Sequence, residues 1–210
     1  MRGRSRWRPG RARWPQATLM SSASESKPRR HRWQTCNAYH LASLFTNAVS
    51  VAWDRGGDAD ADTYLERAVP LVRCLDQPFL WMCLVGDVAV AALLKSDIAG
   101  ADEAFREMLK VSHELVLIGF WSGSLSGLAA VAAERGEPGR AARLAGAAAA
   151  HRNSGVDEVV ERRIMADFLE PARARYGPDA WDAAAAQGAA LTVQEATAYA
   201  LEGRVAVPAA

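Results

Sequence analysis

Three aspartates at alternate positions, Asp58, Asp60 and Asp62, have the spacing that opens a calcium-binding loop. Such a loop also requires glycine at its sixth position and glutamate at its twelfth, where this chain has Thr63 and Val69. The pattern therefore favours a solvated acidic turn over a calcium site. The histidines lie far apart, without the spacing of metal ligands, and we predict no metal and no other cofactor. They are His31, His40, His113 and His151.

The segment 119–127, GFWSGSLSG, places serines among glycines and resembles the nucleophile turn of hydrolases. In that turn a serine stands midway between two glycines, but Leu125 has that place between Gly123 and Gly127. Cys83 lies in an apolar stretch without a cationic neighbour, which predicts an unreactive thiol. No catalytic residue is predicted, and we expect a protein that is not an enzyme.

Three large aromatic residues near the starts of predicted helices are candidates for a partner-binding groove: Trp81, Phe120 and Trp121. In stacked helical repeats the first helix of each pair lines the concave surface, where exposed aromatic side chains anchor a partner. The alternative is that these side chains pack between helices, because large apolar residues usually become buried.

The elements that must position these residues are all helices, as apolar spacing by threes and fours and the abundance of alanine indicate. Before residue 152 the predicted helices cover 36–53, 62–74, 79–95, 101–115, 121–135 and 139–151. Ser154 and Asp157 resemble a capping box that opens the next helix. Its core stripe is Val160, Ile164 and Phe168, with Met165 and Leu169 beside it. A helix over 180–187 follows, and Thr192 with Glu195 forms a capping box for the last one.

Charge divides the chain into a tail and a body. Residues 1–33 hold ten Lys and Arg against Glu25 alone, although the net charge of the whole chain is only +1. This Arg-, Ser- and Pro-rich segment has no helical period, so we predict a disordered tail over 1–33 and one helical repeat domain over 34–210. Trp7 and Trp14 lie among its arginines, which leaves nucleic-acid binding through the tail as one alternative. Translation from Met20 is the other, and it would leave 1–19 outside the protein.

The longest apolar run, 79–94, carries Asp87 near its centre and is shorter than a membrane span of about 20 residues. We therefore predict a buried helix and no membrane contact. Cys36, Cys74 and Cys83 have no C-x-x-C spacing, which fits free thiols in a reducing compartment. Together these features predict a cytoplasmic protein.

A repeat is visible at the turns between helices. A small residue precedes an acidic one at Gly57–Asp58, Ser96–Asp97 and Gly136–Glu137, with spacings of 39 and 40 residues. A regular period of helix pairs is the mark of an α-solenoid. The small and apolar residues around these turns also fit the packing positions of tetratricopeptide pairs with longer helices, so we predict a tetratricopeptide-like α-solenoid of antiparallel helix pairs.

Residues 127–202 carry a resemblance to a known family. The order G-[DE]-x-x-x-A-A-R-L-x-G-A-A, a charged helix, and then A-W…G…L-T-x-x-E-A…A-L resembles the C-terminal helical region of LuxR-type and related signal-transduction ATPase regulators of bacteria. The matching positions are Gly136, residues 141–144 and 146–148, Trp181, Gly188, Leu191, Thr192, Glu195, Ala196 and Leu201. The resemblance implies a role in transcriptional regulation and signal transduction.

The chain has no G-x-x-x-x-G-K-[ST] phosphate loop, and only a short apolar end follows Gly203. We therefore expect the arm of such a regulator without its ATPase or its DNA-binding domain. Its role would be to bind a protein partner, or the ATPase module of its own regulator, or to sense a signal. A small-molecule effector is the first alternative. Nucleic-acid contact by the folded domain is not expected.

Overall fold

The computed structural model describes residues 29–75, 77–152 and 158–202, and within them the side chains of 37–75, 77–152 and 159–202. All regular elements in these ranges are helical. They are α1 (Arg29–Asp54), α2 (Asp58–Arg73), α3 (Pro78–Leu94), α4 (Ile98–Glu114), α5 (Ile118–Glu134), α6 (Pro138–Ala150), α7 (Glu158–Ile164), a π-helical turn (Met165–Leu169), α8 (Glu170–Tyr176), α9 (Pro178–Ala189) and α10 (Val193–Leu201).

The predicted all-helical character is confirmed within the described ranges, and α1–α6 pack side by side in sequence order. Helices α1–α6 begin one to seven residues earlier than predicted. The largest difference is at α1, which begins at Arg29 where the sequence predicted residue 36, so the last five residues of the predicted tail are helical. The remainder of that tail and the predicted capping box at Ser154 lie outside the described residues.

Helices α2–α6 begin at intervals of twenty residues. Their first residues are Asp58, Pro78, Ile98, Ile118 and Pro138, and α9 begins at Pro178, forty residues after the start of α6. A helix pair therefore spans forty residues, in agreement with the period read from the turns. The small residue equivalent to Ser96 and Gly136 is Gly56, however, and not Gly57, because only Gly56 has a positive φ at that turn.

Four of the turns share one backbone design. A residue in the left-handed region ends one helix, and the next amide donates to a carbonyl five residues back, as in a Schellman motif. The left-handed residues are Gly56 (φ 72°), Ser96 (φ 58°), Val116 (φ 56°) and Gly136 (φ 76°). The residue that donates this bond is also the N-cap of the following helix, so each turn reverses the chain with no spare residue.

In six of the described helices the fourth residue is an alanine or a tryptophan that is withdrawn from solvent. In α2, α4 and α6 it is a fully buried alanine. In α3, α5 and α9 it is a buried or half-buried tryptophan. The residues are Ala61, Ala101 and Ala141, and then Trp81, Trp121 and Trp181. A small residue on one helix and a large one on the next lets neighbouring helices interlock at high density.

The segment from Glu158 to Tyr176 runs without a break through α7, the π-helical turn and α8. Pro171 explains the π-helical turn, because its ring would collide with the carbonyl four residues earlier in a regular helix. The wider turn shifts the buried face. Ile164, Phe168 and Leu169 are buried as predicted, whereas Met165 faces solvent.

Two glycines bring α6 and α9 into close contact. A Cβ at Gly146 would lie 2.0 Å from the Ala185 carbonyl oxygen, and one at Gly188 would lie 1.9 Å from the Arg143 carbonyl oxygen. Only glycine permits this approach, since every other residue would place a methyl group inside the neighbouring backbone. This close approach packs α9 directly against α6.

Candidate functional site

Exposed apolar side chains gather at the end of the molecule where α3 begins, α4 ends and α5 begins. We call Phe79, Leu115, Val116 and Phe120 the apolar end patch. The exposed fraction of Val116 is 73% and that of Phe79 is 58%. The rings of Phe79 and Phe120 meet edge to face, with centroids 5.4 Å apart. Exposed apolar side chains grouped in this way are typical of protein interaction sites.

The turn that carries this patch differs in composition from its three counterparts of the same backbone design. Those have the sequences Arg-Gly-Gly, Lys-Ser-Asp and Arg-Gly-Glu, which place a basic residue, a small residue and then a small or acidic residue. The turn between α4 and α5 instead reads Leu-Val-Leu, and the next residue is Ile118. Four consecutive apolar residues therefore occupy a surface turn that is built from polar and small residues elsewhere in the molecule.

Val116 is also strained. Its φ of 56° lies in the left-handed region, where a β-branched residue is an outlier. The conformation costs about 1–2 kcal/mol for a residue with a Cβ. Because the side chain is exposed, burial within the described part of the chain does not offset this cost.

The three aromatic residues predicted to line a groove have different surroundings. Trp121 is fully buried, and its indole Nε1 donates a 2.8 Å hydrogen bond to Thr197 Oγ1 on α10. Its ring also meets His151 edge to face. Trp81 is half-buried and packs against the core. Phe120 is half-buried as well, and it is the one of the three that joins the apolar end patch.

α10 lies across α4, α5 and α6 and is held by arginines from two of them. Arg106 Nη1 donates to the Leu201 carbonyl at 2.9 Å, and Arg140 Nη2 donates to the Tyr199 and Ala200 carbonyls at 3.0 Å. The Arg140 guanidinium also lies 4.8 Å from the centre of the Tyr199 ring. These groups form a cradle around the last turn of α10.

The start of α10 has the predicted capping box. Thr192 Oγ1 accepts from the Glu195 amide, and the Glu195 carboxylate accepts from the Thr192 amide at 2.9 Å. The two hydrogen bonds from Thr192, first from its amide and then from its hydroxyl, lower the pKa of Glu195. This prediction is confirmed.

The acidic turn at the start of α2 faces basic side chains. Asp58 pairs with Arg163 at 2.8 Å, and Asp62 pairs with Lys95. Within the described ranges, no three His, Cys, Asp or Glu side chains cluster closely enough to hold a metal ion. The arrangement is that of a salt-bridged surface, and these partly exposed pairs contribute little stability individually.

The serines of α5 are occupied by hydrogen bonds. Ser122 and Ser124 donate to carbonyls of their own helix, and Ser126 donates to Glu161 Oε1 at 2.9 Å. Arg152 binds the same carboxylate oxygen at 2.6 Å. A buried carboxylate that bridges a serine and an arginine fixes α7 to α5.

None of the described helices combines the length and the apolar character needed to cross a membrane. Comparisons of the chain with protein-family models, with curated proteins and with solved structures found no match.

Phe79, Leu115 and Val116 were not predicted as site residues. The signal was present in the run from Leu115 to Ile118, which is apolar at a position where the twenty-residue spacing requires a turn. Arg106 and Arg140 were not predicted either, because no sequence pattern links an arginine to a carbonyl so far along the chain.

Proposed function

We propose that this chain is a tetratricopeptide-like α-solenoid that binds a protein partner through the apolar end patch. Helix pairs of forty residues, joined by turns of one backbone design, support the solenoid interpretation. The resemblance over 127–202 supports a place in a LuxR-type regulator, where the partner would be the ATPase module or a protein that signals to it. Cytoplasmic localisation follows from that role.

The proposal rests on the observation that Val116 is both strained and exposed. Glycine, asparagine or serine would adopt this turn at lower cost, as Gly56, Ser96 and Gly136 do. A strained and exposed valine adds nothing to the packing of the described chain, whereas it adds apolar contact area when a partner covers the patch. Phe79 and Phe120 extend that area with aromatic surface, which is enriched in protein interfaces.

Val116→Asn tests the proposal without endangering the fold. Asparagine tolerates the left-handed conformation, so the free energy of unfolding of this variant should exceed that of the original protein by about 1 kcal/mol. Ser96→Asn is the matched control, because it introduces the same residue at the left-handed position of an equivalent turn outside the patch. Phe79→Gln is a second variant within the patch.

The measurement is affinity capture with chemical cross-linking from lysate of the source cells, compared across these variants by quantitative mass spectrometry. We expect the original protein and Ser96→Asn to retain the same partner, and Val116→Asn and Phe79→Gln to lose it. Equal recovery with all four proteins would show that the patch is not the binding surface. Failure of every protein to retain a specific partner would overturn the interaction role itself.

A further inference from the structure

α10 is a short helix whose buried face is made of small side chains. Ala196 and Ala200 are fully buried, and Thr197 lies between them on the same face. A helix of nine residues is marginal in water by itself, so its structure depends on the surface that it covers. The three residues Ala190, Leu191 and Thr192 connect it to α9.

The cradle around α10 contacts features that most helices share. Arg106 and Arg140 donate to carbonyls of the last turn, which every helix leaves without an internal partner. Their positive charges also favour the negative end of the helix dipole. Among the polar and aromatic contacts of the cradle, the Trp121–Thr197 hydrogen bond and the Arg140–Tyr199 contact depend on particular side chains of α10.

Groups outside α10 hold the cradle in position. The carboxylate of Asp102, which is largely buried, accepts from Arg106 Nε at 2.8 Å and from Arg135 Nη2 at 3.0 Å. Trp121 is fixed from its other side by the ring of His151. Arg106 and Trp121 would therefore keep their positions when α10 leaves, and a preorganised site binds its ligand with little ordering cost.

We infer that α10 is a displaceable internal ligand, and that its seat on α4, α5 and α6 binds in trans a partner helix of the same chemistry. That helix has alanine, serine or threonine along one face and ends at the cradle, so that its last carbonyls reach Arg106 and Arg140. This inference rests on the proposed role as an interaction module, but it concerns a surface distinct from the apolar end patch.

The test uses the full chain and a fluorescent peptide with the sequence of residues 190–202. Thr192→Ala with Glu195→Ala removes the capping box of α10 in the chain, and both side chains are exposed, so the seat itself is unchanged. Loss of an N-cap weakens a helix by about 1 kcal/mol, which corresponds to roughly fivefold in an equilibrium constant. We expect the capping-box variant to bind the peptide about fivefold more tightly than the original chain, by fluorescence anisotropy, because more of the seat is vacant.

Arg140→Met is the matched control. It also loosens α10, but it removes the donor on which the peptide depends, so its affinity for the peptide should not rise. Hydrogen exchange at residues 193–202 reports whether α10 is released in each variant. Faster exchange with no gain in peptide affinity in the capping-box variant would overturn the inference, since α10 would then be a structural element without a binding seat.

Exchange that stays slow in the capping-box variant would overturn it as well, because α10 would not be displaceable. Neither result affects the capture experiment with Val116→Asn, which reads out the apolar end patch. The two proposals can therefore fail separately.

Discussion

The two parts of the molecule, α1–α6 and α7–α10, are held together in different ways. In α1–α6 one turn design recurs, and the fourth residue of each of α2–α6 is a buried or half-buried alanine or tryptophan. In α7–α10 the attachments to the first part are individual: a glycine contact for α9, a buried carboxylate for α7, and arginines with a tryptophan hydrogen bond for α10.

The difference shows that α1–α6 share one recurring design, whereas each element of α7–α10 has its own contacts with α1–α6. Each hairpin of α1–α6 buries its apolar face against the next, so one pattern serves all of them. The final helices have no following hairpin in the described part of the chain, and they are fixed by contacts that the repeat does not supply. Substitutions at these contacts should therefore weaken the attachment of α7–α10 to α1–α6.

The largest effect is expected from Gly188→Ala. Its Cβ would lie 1.9 Å from the Arg143 carbonyl oxygen and 2.6 Å from the carbonyl carbon, so α9 must move away from α6. We expect a loss of about 3 kcal/mol in the free energy of unfolding, since backbone cannot yield as a flexible side chain does. Urea denaturation followed by circular dichroism measures it.

Gly123→Ala is the control within α5. A Cβ there meets only Met108 Cε at 3.7 Å, an ordinary contact, and alanine favours a helix over glycine by about 1 kcal/mol. Its unfolding free energy should rise or stay unchanged. If both alanine variants behaved alike, the close contact of α6 and α9 would not be what holds the second part in place.

A smaller effect is expected from Trp121→Phe combined with Thr197→Val. Each single change removes the hydrogen bond that joins α5 to α10, so the pair should show a coupling energy of about 1 kcal/mol in a double-mutant cycle of unfolding free energies. Ser124→Ala is a useful comparison, because its hydroxyl bonds only to its own helix. Additive effects of Trp121→Phe and Thr197→Val would mean that α10 is attached by its arginines alone.

The smallest effect is the pH dependence of the α10 capping box. Folding lowers the pKa of Glu195. Its charged form therefore stabilises the folded state at pH values above the ordinary pKa of glutamic acid. This contribution is complete at neutral pH and disappears as pH falls through the lowered pKa. Glu195→Gln should therefore be less stable than the original chain at neutral pH and equal to it in acid, by thermal denaturation at a series of pH values. A stability difference independent of pH would contradict the assignment.

The sequence predicted the helices and the forty-residue period because both depend on local patterns. Apolar spacing and the Gly136–Glu137 turn are visible within a few residues, and the Thr192–Glu195 capping box needs only a span of four. The alignment of the turns was wrong by one position at the first turn, where Gly56 and not Gly57 corresponds to Ser96 and Gly136, because two adjacent glycines are equivalent in sequence and only the backbone distinguishes them.

The candidate site was far less predictable. Val116 lies in the connection predicted between two helices, but its left-handed backbone conformation exists only in three dimensions. The position of Trp121 at a helix start left open a groove or a packed location, and the packed alternative is the observed one. The helix that covers it begins more than seventy residues later, so the sequence could not distinguish the two. The exposure of Met165 had a local cause in Pro171, but the resulting π-helical turn cannot be read from periodicity.

The constant interval between helix starts has a consequence for how such a chain can change in length. One residue inserted inside a helix rotates everything after it by about 100°, which turns the interlocking residues away from their partners. Adding or removing a whole forty-residue pair preserves every register. Viable variants of this architecture should therefore differ in length by complete hairpins.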